Sequence, residues 1–493
     1  MLLNSSHLSR ITKGVEQMAE DNTEKKITRR QAIKYASVGA LGAAASYYGL
    51  TRSGLLAFLD DDAKQSSFPQ VTKRKFEATG DEISLLSFGC MRLPIIGRDR
   101  KNIDEELASK MIDYAYRRGI NYFDTAYGYH GGNSESFLGK AMKKYPRESY
   151  FIADKMPGWL IEEKGGAKKI FEEQLQKCQT TYFDYYMLHS LSQRDPSRDF
   201  KRIYENQGAL NYLKQEKAAG RIRQLGFSFH GDIPLMKYLL SNHKWDFCMI
   251  QLNYFDWDLE INGSTNQALT TLNKRFYPSA TLYKMCEEKK LPCFVMEPLR
   301  GGQLAVLNAE AIKVLKQADP KQTPVSWALR YAASFPNVVS ILSGMSSMKH
   351  VTENIETMTN FKPLEDKDHR VINEALIKFK EKLGILCTQC YYCEPCPYGV
   401  NISGIFKFYN DMSSDIGIPL DPKNKNYRKQ RRAFLVSYNN TIKKEERAEH
   451  CIGCGKCVDI CPQRIDIPTM MTQIESIRQR NTAGHVVDEG GHS

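Results

Sequence analysis

Eight of the chain's thirteen cysteines fall in two short runs. One is Cys387-x2-Cys390-x2-Cys393-x2-Cys396-Pro397; the other is Cys451-x2-Cys454-x2-Cys457-x3-Cys461-Pro462. Thiolates at this spacing clasp one face of an iron–sulfur cube, and the second run has the spacing that holds a [4Fe–4S] cluster. In chains with two such clusters, the fourth cysteine of a run reaches across to the other cluster. That pattern assigns Cys387, Cys390, Cys393 and Cys461 to one cluster, and Cys451, Cys454, Cys457 and Cys396 to the other. Paired Cys-x2-Cys units also bind zinc, but the third regularly spaced cysteine and the Cys-Pro endings favour iron. The first run has two residues rather than three before Cys396, so a single cluster is the alternative. Clusters need free thiolates, which argues against disulfides. Cys90, Cys178, Cys248, Cys286 and Cys293 are scattered and read as buried apolar residues.

A second reactive set comes from the middle of the chain. From about 71 to 362, apolar strands alternate with amphipathic helices. Strand-like runs end at Gly89, Asp124, Ala153, Leu188, Phe227, Gln251, Val295 and Leu342, with helical patterns between them over, for example, 105–118, 168–178 and 204–219. Eight such units predict an α/β fold, a (β/α)8 TIM barrel. No Gly-x-Gly-x-x-Gly follows a strand, which weakens an open dinucleotide-binding sheet. Barrel chemistry sits at the C-terminal ends of the strands. Those ends bring up Asp124 and Tyr129 after the second strand, Lys155 after the third and His189 after the fourth. An ammonium beside a phenol lowers its pKa by favouring the phenolate. A carboxylate keeps the lysine charged and oriented. The tyrosine is then expected to give a proton to a carbonyl oxygen, and the histidine to stabilise charge developing there.

The order Asp124-Thr-Ala-x-x-Tyr129, Ala153-Asp-Lys155, Leu188-His189 resembles the Asp–Tyr–Lys–His tetrad of the aldo-keto reductases, and the likeness covers the whole barrel. The resemblance implies a nicotinamide cofactor, NADP or NAD. Gly220-Arg-Ile-Arg-Gln-Leu-Gly-Phe-Ser228 is similar to the strand-five motif, which implies that Ser228 holds the carboxamide. Phe229, followed by His230, replaces the asparagine of that motif. Gln251 matches a carboxamide-binding glutamine. Pro298, Leu299, Gly301 and Gly302 match the loop around the pyrophosphate. Ser343, Gly344, Met345, Glu353 and Asn354 match the adenosine end. Gly344 and His350 stand where NADPH-selecting cations often lie, and Lys349 is the remaining candidate.

The 493 residues suit two or three domains of about 150 residues each. A 42% hydrophobic content is ordinary for a globular chain. The net charge of +12 gathers partly at 423–444. A basic face can meet nucleic acid, a membrane or an acidic redox protein, but no nucleic-acid motif accompanies it. The domains expected are an N-terminal extension over 1–60, the barrel over 71–365, a ferredoxin-like unit over 366–480 and a disordered tail over 481–493. More than fifty residues with helical patterns, at 402–412 and 428–438, separate the cysteine runs. This spacing resembles the helical ferredoxin domain of fumarate reductase and heterodisulfide reductase iron–sulfur subunits. The whole is similar to the iron–sulfur aldo-keto reductases of anaerobic bacteria.

Thr28, Arg29, Arg30, Gln31, Ala32, Ile33 and Lys34 precede a mildly apolar run over 35–50. Twin arginines before such a run resemble a Tat export signal, implying the Tat machinery as a partner and an exported, periplasmic protein. An amphipathic helix and a cytoplasmic protein are the alternative. Met18 competes with Met1 as the start. The run is short for a span of about 20 residues.

The leading expectation is therefore an oxidoreductase moving a hydride between a nicotinamide and an aldehyde, ketone or sugar carbonyl. A second reading makes the clusters the working part, passing electrons to a redox protein. A third makes them structural. The substrate is set by loops, chiefly 256–278, while Tyr254, Trp257 and Trp159 either line the pocket or pack its rim.

Overall fold

The computed structural model describes residues 69–97, 99–192, 199–257, 278–380, 384–463 and 465–488. The twin-arginine stretch, both candidate starts and most of the 256–278 loop lie outside the described residues.

The chain enters through an antiparallel hairpin that the sequence reading missed, β1 (Lys73–Phe76) and β2 (Asp81–Ser84), with Lys73 opposite Ser84. Four-residue strands are too short to show an alternating pattern. The hairpin turns Phe76 and Ile83 into the barrel core against Tyr122, Tyr185, Phe247 and Phe294. Tyr122 and Tyr185 lie at strand starts, so the hairpin plugs the N-terminal end and leaves the other end for chemistry.

Eight parallel strands close the barrel: β3 (Leu86–Gly89), β4 (Tyr122–Asp124), β5 (Phe151–Met156), β6 (Phe183–Leu191), β7 (Ile222–Phe229), β8 (Phe247–Gln251), β9 (Cys293–Met296) and β10 (Val338–Ser343), with β10 pairing β3. The expected eight units are all present. Several strands outrun their apolar stretch. Lys155 pairs with Met187 and Met156 with Leu188 in the ladder, so Lys155 and His189 sit on strands rather than after them. A side chain on a strand is held more rigidly than one on a loop.

Local chemistry explains the helix ends. Asp104 caps helix Glu105–Arg117 by accepting from the Leu107 N–H. The helix expected over 204–219 is instead a π-helical turn, Lys201–Asn206, followed by helix Ala209–Ala218. Gly208 between them is left-handed, with φ of 79°.

Two boundaries move. Helix Asp366–Lys380, assigned by sequence to the C-terminal unit, packs on the barrel helix Ala309–Ala318. Asn308 Nδ2 donates to the carbonyls of Lys378 and Phe379. The first residues of the tail expected to be disordered from 481 are helical, within helix Ile467–Asp488, and 489–493 lie outside the described residues. Asn481 is buried, accepts from the Tyr427 hydroxyl at 2.9 Å and receives Arg431 Nε on its carbonyl at 2.7 Å. The C-terminal unit is mainly helical. Helices Ile402–Asp415, Tyr427–Thr441 and Ile467–Asp488 share a core that includes Phe406, Phe434, Tyr438 and Met471, with cysteines of both runs packed against it. Among the described residues no helix is long and apolar enough to cross a membrane.

Candidate functional site

Lys155 Nζ donates to both carboxylate oxygens of Asp124, at 2.6 and 2.7 Å, and to the Thr125 carbonyl at 2.6 Å. Lys155 is 2% exposed and Asp124 3%. Desolvation of this kind is tolerable only for a paired, fully hydrogen-bonded charge. The ammonium stands 4.9 Å from the centroid of the Tyr129 ring. The His189 ring meets Tyr129 edge-on at 6.1 Å and Trp159 at 5.0 Å. All four tetrad residues border one open cleft.

One expectation is overturned. The Tyr129 phenol is not lowered; burial, then the charges of Asp124 and Asp154, push it well above its ordinary value. The reason is geometric. The three hydrogen bonds of Lys155 end on Asp124 and Thr125, so its charge is already balanced when it reaches the phenol. Tyr129 is therefore a neutral proton donor across the ordinary pH range. Asp124 itself is raised by burial, against the downward pull of Lys155.

Of the residues matched to the nucleotide, Ser228, Pro298, Leu299, Gly301, Ser343, Gly344, Glu353 and Asn354 line the same cleft. Asn354 Nδ2 donates to Ser343 Oγ at 3.0 Å. Met345 is buried and does not line it, and Gln251 does not either. The Gln251 amide donates at 2.7 Å to Asp256, which a buried Arg300 holds at 3.0 Å. Tyr254 and Trp257 also point elsewhere, into an aromatic cluster with Tyr331 and Phe335.

The cleft contains groups that the sequence reading did not place there. Arg92, His230, Glu297 and, from the C-terminal unit, Cys390, Tyr392 and Pro462 all line it. Burial, then the Asp256 charge, raises the Glu297 carboxyl to about 7. Arg92 and Glu297 stand just past the ends of β3 and β9, so the strand-end rule could have found them. Nothing local points to Tyr392, whose hydroxyl lies 3.4 Å from His189 Nε2 across 203 residues of chain.

The cysteines gather as two quartets. Cys387, Cys390, Cys393 and Cys461 surround one small cavity; Cys396, Cys451, Cys454 and Cys457 surround another. Each quartet takes its fourth member from the other run. None of the thirteen cysteines is in a disulfide. Among the described residues, no three of these eight sulfurs lie within 4.8 Å of one another. A tetrahedral zinc with bonds of about 2.3 Å would draw its thiolates to about 3.8 Å apart, a spacing that no three of these sulfurs share. The Gln389 N–H donates to Cys387 Sγ at 3.4 Å. Burial pushes the Cys387 thiol up to about 12.

The loop carrying the first quartet is fastened to the barrel rim. Gln389 and Tyr391 are left-handed, with φ of 53° and 64°, a conformation costing about 1–2 kcal/mol each outside glycine. Barrel side chains hold them there. Arg92 donates to the carbonyls of Thr388 and Gln389, and the Arg100 guanidinium stacks 3.7 Å over the Tyr391 ring. Gln303 donates to the Cys387 carbonyl at 2.9 Å. Gln463 bridges Arg300 and Glu297, at 3.1 and 3.0 Å.

The aldo/keto reductase family model matches residues 85–377, more than half of the chain. The chain belongs to the aldo/keto reductase family. It is an oxidoreductase, and it carries a 4Fe-4S dicluster domain over 386–465. It is 27% identical over 317 residues to the NADH-specific methylglyoxal reductase of Escherichia coli, covering 55% of this chain and 88% of that one. It is 26% identical to L-galactose dehydrogenase of Arabidopsis thaliana, covering 62% and 93%. Among solved structures, the holo form of aldo-keto reductase AKR11C1 from Bacillus halodurans aligns over 62% of this chain and 96% of its own, at 23% identity and a TM-score of 0.49.

Proposed function

We propose that the chain interconverts a carbonyl and an alcohol, on an aldehyde, ketone or sugar, with a nicotinamide cofactor. The observation that carries this reading is Tyr129, a protonated phenol on the cleft wall, backed by the closed Lys155–Asp124 pair. The residues present fit the cofactor. Ser228, Ser343 and Asn354 offer polar side chains along one cleft, and Gly301 and Gly302 present backbone without side chains. When bound, the nicotinamide supplies or accepts the hydride. Tyr129 gives its proton to the carbonyl oxygen, His189 steadies charge on that oxygen, and Lys155 fixes the phenol's surroundings. Lys349 is engaged by Glu353 at 3.7 Å. The exposed pair is net neutral, so it favours neither NAD nor NADP.

Tyr129→Phe should lower turnover on the order of 10²–10⁴-fold and leave nucleotide affinity within about twofold, measured by fluorescence quenching. Near-normal carbonyl reduction by that variant would remove the reading.

In this proposal Cys387, Cys390, Cys393 and Cys461 hold one [4Fe–4S] cluster, and Cys396, Cys451, Cys454 and Cys457 the other. A second function, electron exchange with a redox protein through these clusters, is favoured by Cys390. It lines both the cleft and the first quartet's cavity. A hydride's paired electrons would reach one-electron clusters through a flavin carried by the redox partner, which splits the pair into single-electron steps. Export through the twin-arginine route is part of the proposal. Changing Arg29 and Arg30 together to lysine should keep the protein out of the periplasmic fraction, since lysine lacks the planar donor fork. Equal periplasmic amounts of both proteins would defeat it.

A further inference from the structure

Three cysteines outside both runs come together in the barrel wall. Cys248 lies on β8 and Cys293 on β9, as register partners. Cys248 alternates with Phe247 and Met249, which point into the barrel core, so it faces out toward the helices. Helix Ser279–Glu288 lays Cys286 over both. Cys248 Sγ is 3.3 Å from Cys286 Sγ and 3.7 Å from Cys293 Sγ, and all three sulfurs lie within 4.8 Å of one another. Each residue is 0% exposed. Asn337 Nδ2 donates to Cys293 Sγ at 3.5 Å.

We propose that Cys248, Cys286 and Cys293 form a closed site for a thiophilic divalent cation of the zinc class, separate from the iron–sulfur quartets and from the reaction cleft. The distances carry the assignment. A point equidistant from three sulfurs so spaced lies about 2.0–2.4 Å from each, which spans the zinc–thiolate bond of about 2.3 Å. The contrast with the two quartets is direct, since no three of their sulfurs come this close among the described residues.

The ion would tie β8, β9 and the helix between them into one unit.

The test uses full-length protein purified anaerobically with both clusters in place. The expected result is about one zinc per chain in addition to about eight irons. Zinc-edge absorption should show about three sulfur neighbours near 2.3 Å. Cys286→Ser should lose the zinc and keep the iron. Cys293→Ala, the alternative variant if the first fails to fold, should do the same. Wild type with full iron and no zinc overturns the proposal. So does zinc retained by both variants, or zinc with four sulfur neighbours and iron well below eight, which would be metal misplaced in a quartet.

Discussion

Glu297 sits where three influences meet, and its titration follows from them. The carboxyl borders the cleft, accepts from Gln463 and lies near the buried Asp256. Burial and the Asp256 charge raise its pKa from an ordinary 4.5 to about 7. Between those values the native protein keeps a proton that the unfolded chain has lost, so stability falls as pH rises through the window. Glu297→Gln mimics the neutral acid and still accepts from Gln463. Its melting temperature should match wild type near pH 4.5 and exceed it increasingly up to pH 8. The gain should be on the order of 1–3 kcal/mol, reduced by what solvent screens. Parallel melting curves for the two proteins across that range would show the raised pKa to be wrong. The tetrad was legible at this scale because each member stands where an apolar run stops. The phenol's pKa was not, since it depends on where the three protons of Lys155 go.

Among the elements, the loop after β9 does two jobs. Gly301 lines the cleft, as its likeness to a pyrophosphate loop implied, but it also faces the C-terminal unit. Its φ is 65°, and a Cβ there would stand 2.2 Å from the Thr388 carbonyl oxygen. Gly302, with φ of 100°, has nothing within 4 Å of the same construction. Gly301→Ala should therefore cost about 2–5 kcal/mol, combining left-handed strain with overpacking. Gly302→Ala should cost only about 1–2 kcal/mol from strain. Denaturant unfolding measures both, and limited proteolysis should cut near Thr388 first in the Gly301 variant. Equal losses would mean that the loop does not brace the cysteine run. Sequence pattern located this loop and the helices of the C-terminal unit. It misassigned helix Asp366–Lys380, because amphipathicity shows that a helix has a buried face and not which neighbour covers it.

Across the whole molecule, the first quartet sits beside the cleft, with Cys390 on its wall. The crossed quartets tie the two cysteine runs together, so damage in one run should appear in the other's cluster. Cys461→Ala lies in the second run, yet it should abolish the cluster beside the cleft and lower iron from about eight to about four per chain. Cys396→Ala should abolish the distal one. With both clusters intact, bound nucleotide should alter the electron paramagnetic resonance signal that is lost in Cys461→Ala and leave the other unchanged. Identical spectra with and without nucleotide would separate the cleft from the clusters and leave carbonyl reduction standing alone.

Short-range pattern was enough for the eight strands, the tetrad and both cysteine runs. Strand periodicity, strand-end polarity and Cys-x2-Cys spacing are written within a few residues of one another. The crossed grouping of the cysteines was also inferable, because in chains with two such clusters the fourth cysteine of a run reaches across. Folding alone decided which wall the first quartet forms, that Tyr392 faces His189, that Gln251 turns to Asp256, and that three scattered cysteines converge. Each of these joins residues far apart in the chain, or chooses between two polar partners of similar reach. Such choices depend on the packing of the closed barrel against its C-terminal unit, and no local stretch of sequence encodes that.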